Sequence, residues 1–146
     1  KTAQIVTITG MDDQVDDGDV AYSIITAAAV STDPNYNGTN PGDIAVSNTD
    51  DDTAGISITP LSALSTSESG GTATFSVVLD SLPTANVILA LSSSDTGEGT
   101  LDTSLLTFTS GDGKTAQIVT ITGVDDQVDD GDVACSIVTG LSASSD

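Results

Sequence analysis

At 146 residues the chain has room for one ordinary domain, or one and a fraction. Lys1 and Lys114 are its only basic residues against 22 Asp and Glu, a formal net charge of −20, which argues against nucleic acid and anionic membrane surfaces as partners. With no histidine and one cysteine, zinc, haem and iron–sulfur chemistry are excluded as well.

A chain this acidic is expected to be disordered unless it can bury apolar surface. Here 37% of the residues are hydrophobic, and many fall in alternating Val/Ile/Leu/Thr runs, so folding is expected. Aromatics are only 3% and Trp is absent, which predicts a thin core of β-branched and aliphatic side chains. Cys135 can form no intramolecular disulfide, and its place on a strand predicts a buried, tolerated thiol. The sequence shows no signal peptide or apolar membrane run. It begins inside a strand pattern and is expected to be a piece of something longer.

Residues 2–9, TAQIVTIT, alternate with Val6 and Ile8 on one face and Thr7 and Thr9 on the other, which predicts a half-buried strand. Residues 12–19, DDQVDDGD, are an acidic loop. Residues 20–26 resume as a strand with Val20, Tyr22 and Ile24 on one face. Pro, Asn, Gly and Asp crowd residues 31–43 into a long ordered loop. A short strand over 43–48 then ends at Asp50, Asp51 and Asp52.

Residues 53–55 read as a joint, followed by a strand at 56–59 that Pro60 closes. A turn over 65–71 carries Glu68. Residues 72–79 alternate strongly, with Ala73, Phe75, Val77 and Leu79 facing inward. Strands are predicted at 87–91 and 105–109, with a loop over 92–99 holding Asp95 and Glu98. Tyr22, Tyr36, Phe75 and Phe108 are assigned to packing. No stretch has a helical period, so the chain reads as all-β.

The opening block recurs. Residues 1–21 and 114–134 are identical except for Met11 and Val124, and residues 1–33 match 114–146 at 25 of 33 positions. A spacing of 113 residues suits one β-sandwich domain in a tandem array. On this reading residues 1–52 are the C-terminal part of one repeat. Residues 53–146 supply about six strands of the next and lack its last, the counterpart of 43–48. Neighbours in a longer chain, or separate copies by strand addition, would complete them.

Five aspartates in eight residues, between two strands, point to calcium, which takes six to eight oxygen ligands drawn from converging loops. The carboxylates in reach are Asp12, Asp13, Asp16, Asp17 and Asp19 with Asp50, Asp51 and Asp52. In the second copy they are Asp125, Asp126, Asp129, Asp130 and Asp132 with Glu68 and Asp95. A solvated acidic surface in a salt-adapted protein is the competing account. An EF-hand frame centred on Gly18 fails, since Val15 and Ile24 fall on ligand positions.

These residues also carry a resemblance. Asp50-Asp51-Asp52-Thr53-Ala54-Gly55-Ile56 resembles the DDDxAGI joint of Calx-β domains, and residues 67–75 resemble their EGxGTAxF entry strand. Leu106-Thr107-Phe108-Thr109 with Gly111 is similar to LTFxPG, and residues 119–132 to VxIxDDxxxEGDE. The resemblance implies an immunoglobulin-like antiparallel β-sandwich of about seven strands per 113-residue repeat, with calcium at one end. It assigns as metal ligands Asp12, Asp13, Asp17, Asp50, Asp51 and Asp52 in one unit and Glu68, Asp125, Asp126 and Asp130 in the other. Asp17 and Asp130 stand where the family carries Glu, and Gly18-Asp19-Val20 replaces its GDE.

No enzyme is expected. Serine and threonine have no histidine or suitably spaced lysine as base, and the carboxylates crowd at turns with no Trp for a sugar to stack on. The predicted role is a structural repeat of an extracellular or cell-surface adhesin, stalk or fibre, bacterial and from a saline habitat by composition. Its partners are neighbouring identical repeats, with any surface or host ligand elsewhere in the parent protein, and calcium stiffens its acidic inter-repeat loops. Two other roles fit the same sequence: a filament subunit joined by strand complementation, and a calcium-sensing regulatory module.

Overall fold

The computed structural model describes residues 2–129, 131–140 and 144. Among them the chain is all-β, with nine strands, every pairing antiparallel. No helix among the described residues is long and apolar enough to cross a membrane. Two compact units emerge: Lys1–Asp13 with Asp17–Asp51, and Gln14–Asp16 with Asp52–Asp146.

In the first unit, β1 (Val20–Ile24) pairs with β2 (Ile44–Asn48), Tyr22 standing opposite Val46. The intervening loop is ordered by its own polar groups, as its composition predicts. The Thr26 N–H donates to Asp43 at 2.8 Å and its hydroxyl to the Pro41 carbonyl at 2.8 Å. Asp33 accepts from the backbone N–H and side-chain amide of Asn35, both at 2.9 Å. No described residue of this unit is buried.

The strand expected over residues 2–9 does not form, and Ile5 and Val6 are 90% and 83% exposed. A half-buried strand needs partners for both its ladder and its apolar face. The first unit supplies neither at this position. Tyr36 lies 62% exposed on the loop and Tyr22 is partly exposed, so the packing role expected of them fails for want of a core.

The second unit has two sheets. One has the order β3 (Ile56–Thr59), β4 (Thr72–Leu79), β8 (Gln117–Gly123), β6 (Gly99–Leu101); the other runs β7 (Leu105–Phe108), β5 (Val87–Ser93), β9 (Ile137–Thr139). This arrangement is compatible with a β-sandwich. Strict alternation builds the shared core, because inward residues of each strand recur every second position. Phe75, Val77 and Leu79 from β4 and Val119 and Ile121 from β8 meet Leu89 and Leu91 from β5 and Leu106 and Phe108 from β7. Val77, Phe108 and Val119 are fully enclosed. Each such aliphatic or aromatic side chain contributes about 1.5–3 kcal/mol on burial.

Among its described residues the unit therefore holds seven strands where about six were expected. The addition is β6, whose Gly99 and Leu101 face Gly123 and Ile121 of β8. The strand predicted over 87–91 also runs on to Ser93.

Candidate metal centre

In the first unit, residues 17–19 turn into β1 through Gly18, whose φ of 78° suits glycine. Residues 48–51 leave the adjacent end of β2. Because β1 and β2 are antiparallel, the start of one lies beside the end of the other, Val20 opposite Asn48. Two reciprocal bonds fasten the segments together. The Gly18 N–H donates to the Asp50 carboxylate at 2.6 Å, and the Asp50 N–H donates to Asp19 Oδ1 at 3.0 Å. The Asn48 side-chain amide adds a bond to the Met11 carbonyl at 2.7 Å. Hydrogen bonds onto charged oxygens are the stronger kind, which suits a loop crowded with like charges.

This clasp brings Asp12 and Asp51 together, with a carboxylate oxygen of each within 4.8 Å of the other. Asp13 and Asp17 lie in the same exposed loop. Two like charges this close repel, and an intervening divalent cation turns the repulsion into attraction.

In the second unit, Asp52 is half-buried and stands 4.0 Å from the Lys114 ammonium, a long pair at a partly exposed site. Asp16 accepts the Ala54 N–H at 2.8 Å, and the Gln14 carbonyl accepts the Leu82 N–H at 2.6 Å.

The described members of this unit's expected ligand set, Glu68, Asp125 and Asp126, fall at one end of β8. The Gly123 N–H donates to the Gly71 carbonyl at 3.0 Å, seating the turn that carries Glu68, and the Val124 N–H donates to the Glu98 carbonyl at 3.0 Å. Three loops bearing Glu68, Glu98, Asp125 and Asp126 thus share that end. Their side chains do not converge: among the described residues of this unit no three carboxylates gather within 4.8 Å. Asp126 instead accepts the Val128 N–H at 2.7 Å. Asp130 lies outside the described residues.

Several aspartates that sequence reasoning had not singled out accept from backbone N–H or hydroxyl donors. Asp102 accepts the Thr120 N–H at 2.9 Å, and Asp80 accepts the Ser57 hydroxyl at 2.7 Å. Asp112 accepts the N–H and hydroxyl of Thr109 at 2.6 and 2.8 Å. Those bonds, the backbone one foremost, hold its carboxyl below the ordinary aspartate value against a small opposing effect of burial. A serine or threonine donor within three residues is the signal that could have flagged Asp112.

Beside the edge strand β9 lies a cavity of about 410 Å³, open to one side. Leu61, Leu64, Phe75, Ile121, Cys135 and Ile137 give it apolar walls. Cys135 is half-buried there and lies just before β9, outside any strand, so the thiol expected to be buried on a strand is partly open at the end of a segment without a ladder of its own.

In comparisons with known proteins, no protein-family model matches the chain and no curated protein matches it.

Proposed function

We propose that this chain is a structural repeat of an extracellular or cell-surface protein, an adhesin, stalk or fibre, whose Calx-β-like, immunoglobulin-like units are stiffened by calcium at their acidic loops. The observation that carries the reading is the clasp of Gly18 and Asp19 with Asp50, beside which Asp12 and Asp51 lie within 4.8 Å of each other. Two carboxylates are too few for calcium alone. Asp13, Asp17 and Asp50, backbone carbonyls and water would complete its shell of six to eight oxygens.

The mechanism is electrostatic. Without a cation, the carboxylates before and after the clasp repel and the linker at residues 50–55 bends. With calcium, both segments share one positive centre and bending is limited. A tandem duplication near identity supports a load-bearing role, since an array gains length from each added copy, whereas a sensor needs few.

Calorimetric calcium titration of the intact chain and of Asp12→Asn/Asp51→Asn tests this. The expected result is calcium binding that the double substitution weakens at least tenfold, or about 1.4 kcal/mol. Equal binding by both proteins would remove the clasp from the account.

A further inference from the structure

We propose that the outward face of the sheet formed by β3, β4, β8 and β6 binds ice through a grid of threonine side chains. The inference goes beyond the structural-repeat reading and does not depend on calcium.

Strict alternation makes the grid. β4 buries Phe75, Val77 and Leu79, and β8 buries Val119 and Ile121, so the alternate positions point away from the core. Those positions include Thr72, Thr74 and Ser76 in β4 and Ile118, Thr120 and Thr122 in β8. The register sets them side by side, Thr72 opposite Thr122, Thr74 opposite Thr120 and Ser76 opposite Ile118. β6 extends the first row with Thr100 beside Thr122, and β3 extends the third with Thr59 beside Ser76.

The chemistry of the face narrows its partner. None of these residues is charged, although the chain carries a net charge of −20. An ionic polymer or mineral therefore finds no counter-charge on the face. It also has no aromatic ring on which a sugar could stack. What it offers is hydroxyl and methyl groups at regular intervals, the complement of a neutral lattice of water.

Threonine is suited to that lattice. Its β-branch restricts χ1, so hydroxyl and methyl positions are largely set before contact and little rotamer entropy is lost. The hydroxyl both donates and accepts, while the methyl favours release of disordered water. Among the described residues, the hydroxyls of Thr72, Thr74, Thr100, Thr120 and Thr122 make no hydrogen bond within the chain. All of them remain available to water.

Spacing agrees. Neighbours across the strands stand about 4.8 Å apart, and alternate residues along a strand about 6.7 Å. These repeats are close to the oxygen spacings along the two axes of the prism face of ice. Adjacent strands differ by about 20–25° in direction, which confines the best match to the central pair. Thr72, Thr74, Thr120 and Thr122 are thus the centre of the grid, with Thr100 and Thr59 at its margin. The duplication would multiply it. Thr7 and Thr9 are the sequence counterparts of Thr120 and Thr122, and an array with one grid per repeat gains retention from simultaneous contacts.

Adsorption to ice tests the proposal on the intact chain. A dilute solution is frozen slowly from one surface, and protein concentration is compared between the ice and the remaining liquid. Ordinary solutes are excluded from ice grown this way. The expected result is severalfold enrichment of the intact chain in the ice. Thr74→Lys, at an exposed grid position, should lose that enrichment, and Thr122→Lys is a second variant of the same kind. Thr107→Lys should keep it, because Thr107 lies exposed on the outward face of the other sheet. Matching urea midpoints confirm that the variants fold.

Exclusion of the intact chain from ice would overturn the proposal. So would equal enrichment of the grid variants and the parent, which would place any adsorption elsewhere. Retention on powdered cellulose in place of ice would make the partner a polysaccharide and overturn it as well.

Discussion

Val6 and Val119 stand at the same place in identical ten-residue segments, yet Val119 is fully enclosed and Val6 is 83% exposed. Around Val119 the segment is a strand between β4 and β6, with Phe75 directly opposite. Around Val6 it has no strand structure. Local sequence sets the alternation, and neighbouring strands decide whether it becomes a strand. Val119→Ala is therefore expected to lower unfolding stability by about 1.5–3 kcal/mol, the loss of buried methyl groups plus the cavity left behind. Val6→Ala should change it by less than about 0.5 kcal/mol. Urea denaturation of both variants measures the difference, and equal effects would contradict the assigned structure.

The two copies also differ at Gly10 and Gly123. A Cβ at Gly123 would collide with the backbone of Ser67, which cannot withdraw without unseating the turn that carries Glu68. A Cβ at Gly10 would meet the Asn48 side-chain oxygen, the end of a rotatable group. Gly123→Ala is expected to cost about 1–3 kcal/mol, as overpacking does. Gly10→Ala should be milder and show itself in loosened protection of the Met11–Asn48 contact by hydrogen exchange.

Asp112 gives the account a pH dependence with a definite sign. Its carboxyl is held below the ordinary value by Thr109, so the folded state favours the charged form. The stabilisation is complete above the ordinary aspartate pKa of about 3.9 and is lost as pH falls through the lower folded value. Asp112→Asn should reduce the midpoint of thermal unfolding at neutral pH, and the gap between variant and parent should close on acidification into that range. A gap that is unchanged at low pH would show that the charge on Asp112 is immaterial.

Much of the fold was legible. Period-two runs such as TATFSVVL marked β4, and the inward positions Phe75, Val77 and Leu79 are buried as the pattern requires. β6 escaped because three residues, Gly-Thr-Leu, carry no period, and only the distant β8 makes them a strand. The segment at residues 2–9 misled because its pattern is complete and its partners are absent from its unit. Acidic loops were legible as loops. The division between aspartates that cap backbone donors, such as Asp102 and Asp112, and those that face one another, such as Asp12 and Asp51, depends on distances no spacing rule supplies. The groove beside β9 was illegible for a similar reason, since Leu61 and Cys135 are 74 positions apart and meet only across the folded unit.

The most direct test of the calcium-stiffened repeat is thermal unfolding of the intact chain with millimolar calcium, with magnesium and with chelator. The account predicts a rise in midpoint specific to calcium, because a ligand that binds only the folded state at 100 times its Kd adds about 2.7 kcal/mol. Equal, small shifts with both cations would contradict it, and would leave the aspartates as solvated surface and backbone caps.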